Sequence, residues 1–207
     1  PNSVTFWRDV AKLYANHPAV LFDLYNEPRN VSWAVWRDGG EVTEKADNGD
    51  PLAYKTLGMQ GLLNTVREAG AKNIVIVGGL DWGYDLSGVL KGFALQDKGG
   101  NGIMYGSHIY PWKGDWANKV GRIAEKYPVF VGEVGCEVDV HQENPYTWAP
   151  DMLGYIQQQK LHWTGWCFHP SASPRMLQDW NYTPTPYWGA FARAALAGAK
   201  FTPTRTR

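Results

Sequence analysis

Apolar residues follow two spacings along this chain, and each spacing predicts one kind of element. Short continuous apolar runs rich in β-branched and aromatic residues are typical of strands buried on both faces. Apolar positions three and four residues apart are typical of amphipathic helices. The runs predict strands at 19–25, 73–79, 102–110, 128–133 and 163–170. The wider spacing predicts helices at 3–16, 52–69, 115–127, 147–160 and 186–198, with a short helix ending near residue 92.

The predicted strands and helices alternate along the chain, and this order is typical of a parallel α/β sheet. Residues 29–51 are predicted to form a long polar loop that holds Trp33 and Trp36. The length of 207 residues fits a single domain, predicted here as 1–207. The sequence contains neither Gly-x-Gly-x-x-Gly nor a phosphate-binding loop, which argues against a nucleotide-binding sheet.

Charge and composition exclude several kinds of partner. Lys and Arg together number 20, as do Asp and Glu, so nothing favours nucleic acid or a charged membrane surface. The apolar runs fall short of the roughly 18 residues that a membrane span needs. The chain opens on PNSVTFWRDV, which does not resemble a signal peptide.

Cysteine and histidine do not predict a metal site or a cofactor. Cys136 and Cys167 are not in a Cys-x-x-Cys pair, and the five histidines lack ligand spacing. The two cysteines are interpreted as unpaired thiols, with one bridge between neighbouring loops as the alternative.

Two glutamates lie where chemistry collects in parallel α/β proteins, at the C-terminal ends of strands. Glu27 and Glu133 each follow a strongly apolar run. A pair of carboxylates, one protonated and one ionised, performs glycoside hydrolysis. His108 and Tyr110 point the same way from one strand and can donate hydrogen bonds to a carboxylate, which favours its ionised form. Asn26 can bond to a substrate hydroxyl.

Tryptophan and tyrosine are abundant, with 11 of each. Flat aromatic rings either pack in a core or stack on the apolar faces of sugars. Trp166 ends a predicted strand, and the other tryptophans of interest lie on loops of the predicted catalytic face. For all of them core packing is the alternative. They are Trp33, Trp36, Trp82 and Trp112.

Four segments resemble glycoside hydrolase family 5, in the correct order. LFDLYNEP (21–28) is similar to the acid/base strand of that family, strand four, and VFVGEVG (129–135) to the nucleophile strand, strand seven. SHIYPW (107–112) is similar to strand six with its His-x-Tyr, and TGWCFHP (164–170) to strand eight. The resemblance implies an α/β fold that is a truncated (β/α)8 TIM barrel. Its five strands correspond to strands four to eight, and the first three βα units are missing.

The resemblance also implies roles for individual residues. Glu27 is the general acid and then the general base, and Glu133 is the nucleophile. Asn26 contacts the sugar 2-hydroxyl, while His108 and Tyr110 line the site and Tyr110 orients Glu133. Trp166 stacks beneath the sugar, and Trp82 and Trp112 form further subsites. Retention of configuration, a carboxyl separation of about 5–5.5 Å, and no metal or cofactor are expected.

One departure from the family concerns the nucleophile. In the family, an Arg near the nucleophile and a His both come from the early strands. This sequence has no residue that matches either. Arg29, Arg37 and Arg175 are candidates to replace the arginine from a loop.

A second departure concerns the edges of the sheet. An open parallel sheet exposes both edges, so we expect either a homo-oligomer or a complementing chain.

The predicted activity is hydrolysis of β-1,4-linked glucans or gluco-oligosaccharides by an endoglucanase (cellulase) or β-glucosidase. The alternatives are a β-mannanase, a non-catalytic sugar-binding protein, and a half-barrel subunit of a complex. Because both glutamates are intact, the sequence favours an active glycosidase. An enzyme that acts on a polymeric glycan is expected to be secreted.

Overall fold

Five parallel strands form one sheet in the computed structural model, which describes residues 2–46, 48–138 and 143–205. In order across the sheet they are β1 (Phe22–Asp23), β4 (Val75–Gly78), β5 (Ile103–Ile109), β6 (Val129–Val134) and β7 (His162–Gly165). A separate antiparallel hairpin consists of β2 (Gly40–Lys45) and β3 (Pro51–Thr56). The predicted fold class, α/β with about five parallel strands and flanking helices as in part of a (β/α)8 barrel, is confirmed.

Helices and helical turns separate the strands. The longer helices are α1 (Asn2–Leu13), α2 (Trp33–Asp38), α3 (Gly58–Glu68), α6 (Pro145–Gln158) and α7 (Gly189–Leu196). Shorter ones are the single turns α4 (Leu80–Gly83) and α5 (Arg122–Ala124), with π-helical turns at Val89–Phe93 and Ala117–Gly121. Within the described residues, no helix has the length and apolar character that crossing a membrane requires.

The chain divides into two compact units, Pro1–Gly106 and Ser107–Arg207, with the boundary inside β5. In the first unit, Phe22 of β1 pairs with Val75 of β4 and both side chains are buried. The indole NH of Trp7 in α1 donates to the Leu24 carbonyl (3.0 Å), which ties that helix to the end of β1. These contacts fix the strand end from which Asn26 and Glu27 follow.

Residues 29–57 differ from the sequence prediction. They contain α2 and the β2–β3 hairpin rather than a polar loop, and α3 begins at Gly58 rather than at residue 52. Gly39 (φ +79°) and Gly58 (φ +74°) close the base of the hairpin. A Cβ on Gly39 would lie 2.4 Å from the Thr56 carbonyl oxygen, and one on Gly58 would lie 2.3 Å from the Gly39 nitrogen. Only glycine permits both the backbone conformation and this close approach.

In the second unit, α6 contacts α7, the ring of Trp116 and the C-terminal segment. Asn144 caps this helix by accepting a hydrogen bond from the Tyr146 NH (3.0 Å). Trp148 is fully buried. Asp151 accepts hydrogen bonds from the Thr204 NH (2.8 Å) and the Arg205 Nε (3.0 Å), which docks the C-terminal segment. Cys136 and Cys167 are free and buried, and burial raises the pKa of both thiols.

The Arg67–Asp97 ion pair is a stability element of the first unit. The guanidinium donates twice to the carboxylate, at 2.8 and 2.9 Å, and about nine-tenths of each side chain is buried. Arg67 also donates to the carbonyls of Ala71 and Asn73. The hydrogen bond from Arg67 holds the pKa of Asp97 below its ordinary value.

We therefore expect Asp97→Asn to lower the free energy of unfolding by about 3 kcal/mol at pH 7, because it leaves a buried guanidinium without its counter-charge. The pKa of Asp97 is lower in the folded protein than in the unfolded chain, where it is about 3.9. The ionised carboxylate therefore stabilises the fold at pH values above about 3.9, and this stability is lost as the pH falls through the folded pKa. Urea titrations at pH 7 and pH 3 test both points. The difference between wild type and variant should shrink at pH 3, whereas an equal difference at both pH values would contradict the account.

Candidate active site

Glu133 lies near the C-terminal end of β6, held by two side chains from the end of β5. The Tyr110 hydroxyl donates a short hydrogen bond to Glu133 Oε2. The Nδ1 atom of His108 lies 3.5 Å from the same oxygen, and 15% of the Glu133 side chain is exposed. A Cβ on Gly132 would lie 3.2 Å from His108 Nε2, so the glycine gives the imidazole room beside the strand. The three residues predicted to act together are therefore in contact.

Two exposed tryptophans, Trp112 and Trp166, also lie in the second unit. Trp112 stacks on the ring of Tyr110, with centroids 5.0 Å apart and planes 6° from parallel. Trp166 follows β7 and is 43% exposed, and its carbonyl accepts from the Trp188 indole NH (2.9 Å). Both rings thus offer an open apolar face of the kind on which sugars stack.

Arg175 does not serve as the positive neighbour of Glu133, contrary to one of the sequence-based possibilities. Its Nε lies 3.1 Å from Oε2 of Glu137, a buried carboxylate that also accepts the Arg175 and Val138 backbone NH groups. Burial alone would raise the pKa of Glu137, but the hydrogen bonds from Arg175 and from the backbone outweigh it and lower that pKa. The guanidinium is therefore used to join the segments that follow β6 and β7.

In the first unit, Glu27 follows β1 in an uncommon backbone conformation. Its φ is +48°, a region that non-glycine residues rarely occupy and that costs about 1–3 kcal/mol. Asn26 beside it is exposed, and Glu27 is half-buried. Such strain persists where the surrounding structure dictates it, and it is concentrated at functional sites. The strained backbone of Glu27 is therefore consistent with a functional role for this side chain.

A pocket of about 360 Å³ adjoins Glu27 within the first unit. Its wall includes Glu27, Tyr25 and Arg29 from the segment after β1. The β2–β3 hairpin contributes Glu44 and Tyr54. The sequence prediction missed these two residues together with the hairpin. Residues 51–56 (PLAYKT) show no strict alternation of apolar and polar positions, so the pattern gave no strand signal there.

The remaining tryptophans of the first unit have different environments. Trp82 is 45% exposed, with the Arg29 guanidinium 5.4 Å from its ring centroid. Trp36 is a core residue whose indole NH donates to the Gly78 carbonyl (2.9 Å). Trp33 packs edge-on against Trp36 at 5.0 Å. Of the three, Trp82 has the most exposed ring, as a sugar-binding role requires.

Arg37, another candidate to replace the family's arginine, lies in α2 and has other partners. It pairs with the adjacent Asp38 and donates to the Gly92 carbonyl (2.7 Å). The sequence prediction also passed over three exposed aromatic side chains on the segment after β7: Phe168, Trp180 and Tyr182. Their exposure could not be deduced from residue type, because aromatic residues are common in cores.

Glycosidases of the (β/α)8-barrel class combine parallel strands and flanking helices with two glutamates at the C-terminal ends of strands. This chain has these features, with Glu27 after β1 and Glu133 near the end of β6, and it has exposed tryptophans. Within that class, the family can be assigned directly. The chain belongs to the cellulase family, glycosyl hydrolase family 5, whose family model matches residues 3–172. The resemblance found in the sequence motifs is confirmed.

Individual relatives agree with this assignment. Endoglucanase E-5 of Thermobifida fusca is 25% identical and matches 78% of this chain, and cellulase CelDZ1 of a Thermoanaerobacterium species is 24% identical and matches 96%. The β-glucanase SdGluc5_26A of Saccharophagus degradans is 26% identical, with a TM-score of 0.74 over 95% of this chain. The chain spans 32% and 54% of those two curated relatives and 59% of the solved β-glucanase.

Proposed function

We propose that this chain hydrolyses β-1,4-linked glucans with retention of configuration, using Glu27 as acid/base and Glu133 as nucleophile. The observation that carries the proposal is the Glu133 carboxylate at the end of β6, oriented by the Tyr110 hydroxyl, in a member of the cellulase family. A nucleophile must be held in one orientation to attack a single carbon atom, and a fixed hydrogen bond on one oxygen provides this.

The proposed reaction has two displacements. In the first, a Glu133 oxygen bonds to the anomeric carbon while the glycosidic bond breaks and Glu27 gives its proton to the departing oxygen. In the second, Glu27 takes a proton from water, whose oxygen replaces Glu133 at the anomeric carbon. Asn26, His108, Trp166, Trp82 and Trp112 bind the sugar chain around these steps, by hydrogen bonds and by stacking.

A β-glucan is the proposed substrate because the relatives point to one. The Saccharophagus degradans β-glucanase has been solved in complex with cellotetraose, a β-linked glucose oligomer. Polymeric glucans lie outside the cell, so the proposal includes secretion.

We expect the purified chain to hydrolyse soluble β-1,4-glucan and aryl β-cellobioside at least about tenfold faster than β-1,4-mannan and aryl β-mannoside, judged by kcat/KM. The physical reason is that the mannosyl 2-hydroxyl is axial and would be misplaced for a hydrogen bond from Asn26. Faster hydrolysis of mannan would replace the glucan proposal with the β-mannanase alternative. A folded protein that cleaves none of the four substrates would contradict the proposed activity.

The molar mass of the same sample in solution, measured by light scattering, tests whether the sheet edges are covered. Within the described residues, β1 is hydrogen-bonded only to β4 and β7 only to β6, so each has one open edge. Exposed strand edges pair readily with other chains. We propose that another copy of this chain, or a chain that carries further barrel strands, covers these edges. The mass of one chain, 23.2 kDa, for a folded and active protein would contradict this part of the proposal.

A further inference from the structure

We infer that the pocket between the β2–β3 hairpin and the segment after β1 is the subsite for the departing sugar, and that Tyr54 and Glu44 determine its affinity. This inference rests on the proposed function, because it uses Glu27 as the acid. It adds a binding site and two specificity residues that the catalytic roles do not require.

The shape and lining of the pocket fit a small ligand. A volume of about 360 Å³ falls within the usual range for ligand sites, about 300–1,000 Å³. Its apolar lining includes Val35 and Trp36 of α2 and Met59 and Leu62 of α3. Polar and aromatic groups lie on the hairpin and on the segment after β1. An apolar floor with a few polar groups is the usual design of a site that orients a small molecule.

The polar groups of the pocket suit a sugar. The carboxyl groups of Glu27 and Glu44 and the cationic groups of Arg29 and Lys55 lie in its wall. Each of these groups can form a hydrogen bond with a hydroxyl group. A sugar residue presents several hydroxyls and therefore matches this lining.

Tyr25, from the segment after β1, and Tyr54, from β3, both provide aromatic surface in the pocket. They are 54% and 39% exposed, so their rings are open to a ligand. Partial burial raises the pKa of Tyr54, and the charge of Glu44 raises it further. The Tyr54 hydroxyl therefore keeps its proton, which it donates to Glu44, and its oxygen can accept a hydrogen bond from a sugar hydroxyl.

The position of Glu27 selects which sugar the pocket holds. A general acid must lie within hydrogen-bond reach of the oxygen that it protonates. That oxygen leaves with the departing sugar, so this sugar must lie against the acid. Because Glu27 forms part of the pocket wall, the sugar residue that carries the protonated oxygen is the ligand expected in the pocket.

The test compares two substrates that differ only in the leaving group. Aryl β-cellobioside releases a phenol, whereas cellotetraose releases a sugar that would fill the pocket. We expect Tyr54→Ala and Glu44→Gln to lower the ratio of kcat/KM for cellotetraose to that for the aryl substrate by about tenfold. Tyr54→Phe, which keeps the ring, should lower it less. Tyr14→Ala removes a similarly exposed tyrosine, 43% exposed on the segment after α1 and outside the pocket, and should leave the ratio unchanged.

Each outcome bears on one claim. An unchanged ratio in Tyr54→Ala and Glu44→Gln, with wild type active on both substrates, would overturn the inference and leave the proposed function intact. Wild type inactive on both substrates would overturn the proposed function. In that case calorimetric titration with cellobiose decides the inference, which requires weaker binding by about tenfold in Tyr54→Ala and fails if the affinities are equal.

Discussion

Replacement of Glu133 by glutamine is expected to reduce kcat on aryl β-cellobioside by more than about a thousandfold. Glutamine has nearly the same shape and can still accept the hydrogen bond from Tyr110. Its amide, however, is a poor nucleophile and cannot form the glycosyl ester. Because the binding surface is retained, KM should change by less than about fivefold. Steady-state kinetics with protein free of wild-type contamination measures both constants.

The control for this variant is Glu125→Gln, the same chemical change at an exposed position after α5. It should have wild-type kinetics. A further variant, Glu133→Gly, leaves space for azide, which is expected to restore turnover and give the α-glycosyl azide, since azide then attacks from the side of the missing carboxylate. Loss of less than about tenfold in Glu133→Gln would exclude Glu133 as the nucleophile.

Replacement of Glu27 by glutamine is expected to lower kcat/KM on cellotetraose by about 10²–10⁴-fold, the usual contribution of general acid–base catalysis. A sugar alkoxide is a poor leaving group and needs the proton, whereas 2,4-dinitrophenolate departs without one. Formation of the glycosyl-enzyme from dinitrophenyl β-cellobioside should therefore be affected much less. Hydrolysis of this glycosyl-enzyme loses its base, so the glycosyl-enzyme should accumulate, and its rapid formation should release dinitrophenol in a burst.

Stopped-flow measurement of dinitrophenol detects that burst, and Glu41→Gln, an exposed change on β2, serves as the control. Equal losses on cellotetraose and on the dinitrophenyl substrate, without a burst, would show that Glu27 does not act as the acid. The two glutamates are thus distinguished by which substrate each variant fails to cleave, and not merely by loss of activity.

Three strands of the sheet could be predicted closely from the sequence because each is a short run of mainly apolar residues. These strands, β4, β5 and β6, lie within the predicted runs 73–79, 102–110 and 128–133, apart from the last residue of β6. The β7 strand (His162–Gly165) overlaps only the start of the predicted run 163–170. The hairpin could not be predicted in this way. Its pairing of Val42 with Tyr54 joins residues across a turn, and its base depends on the contact between Gly39 and Gly58.

The candidate site was predictable where it depends on local spacing. His108 and Tyr110, two residues apart on one strand, were expected to point the same way, and both contact Glu133. The partner of Arg175 was not predictable, because Glu137 meets it only after the segments that follow β6 and β7 have folded together. The pocket beside Glu27 likewise depends on segments that are distant in sequence, so composition could not reveal it.

Trapping of the covalent intermediate tests the central claim most directly. In 2,4-dinitrophenyl 2-deoxy-2-fluoro-β-cellobioside the fluorine slows both displacements, but the good leaving group keeps the first faster than the second, so the glycosyl-enzyme of wild type should accumulate. Mass spectrometry of the intact chain should show one added fluorocellobiosyl group, and peptide mapping should place it on Glu133. A label on another residue, or hydrolysis with inverted configuration and no label, would contradict the assignment of Glu133 as the nucleophile of a retaining glycosidase.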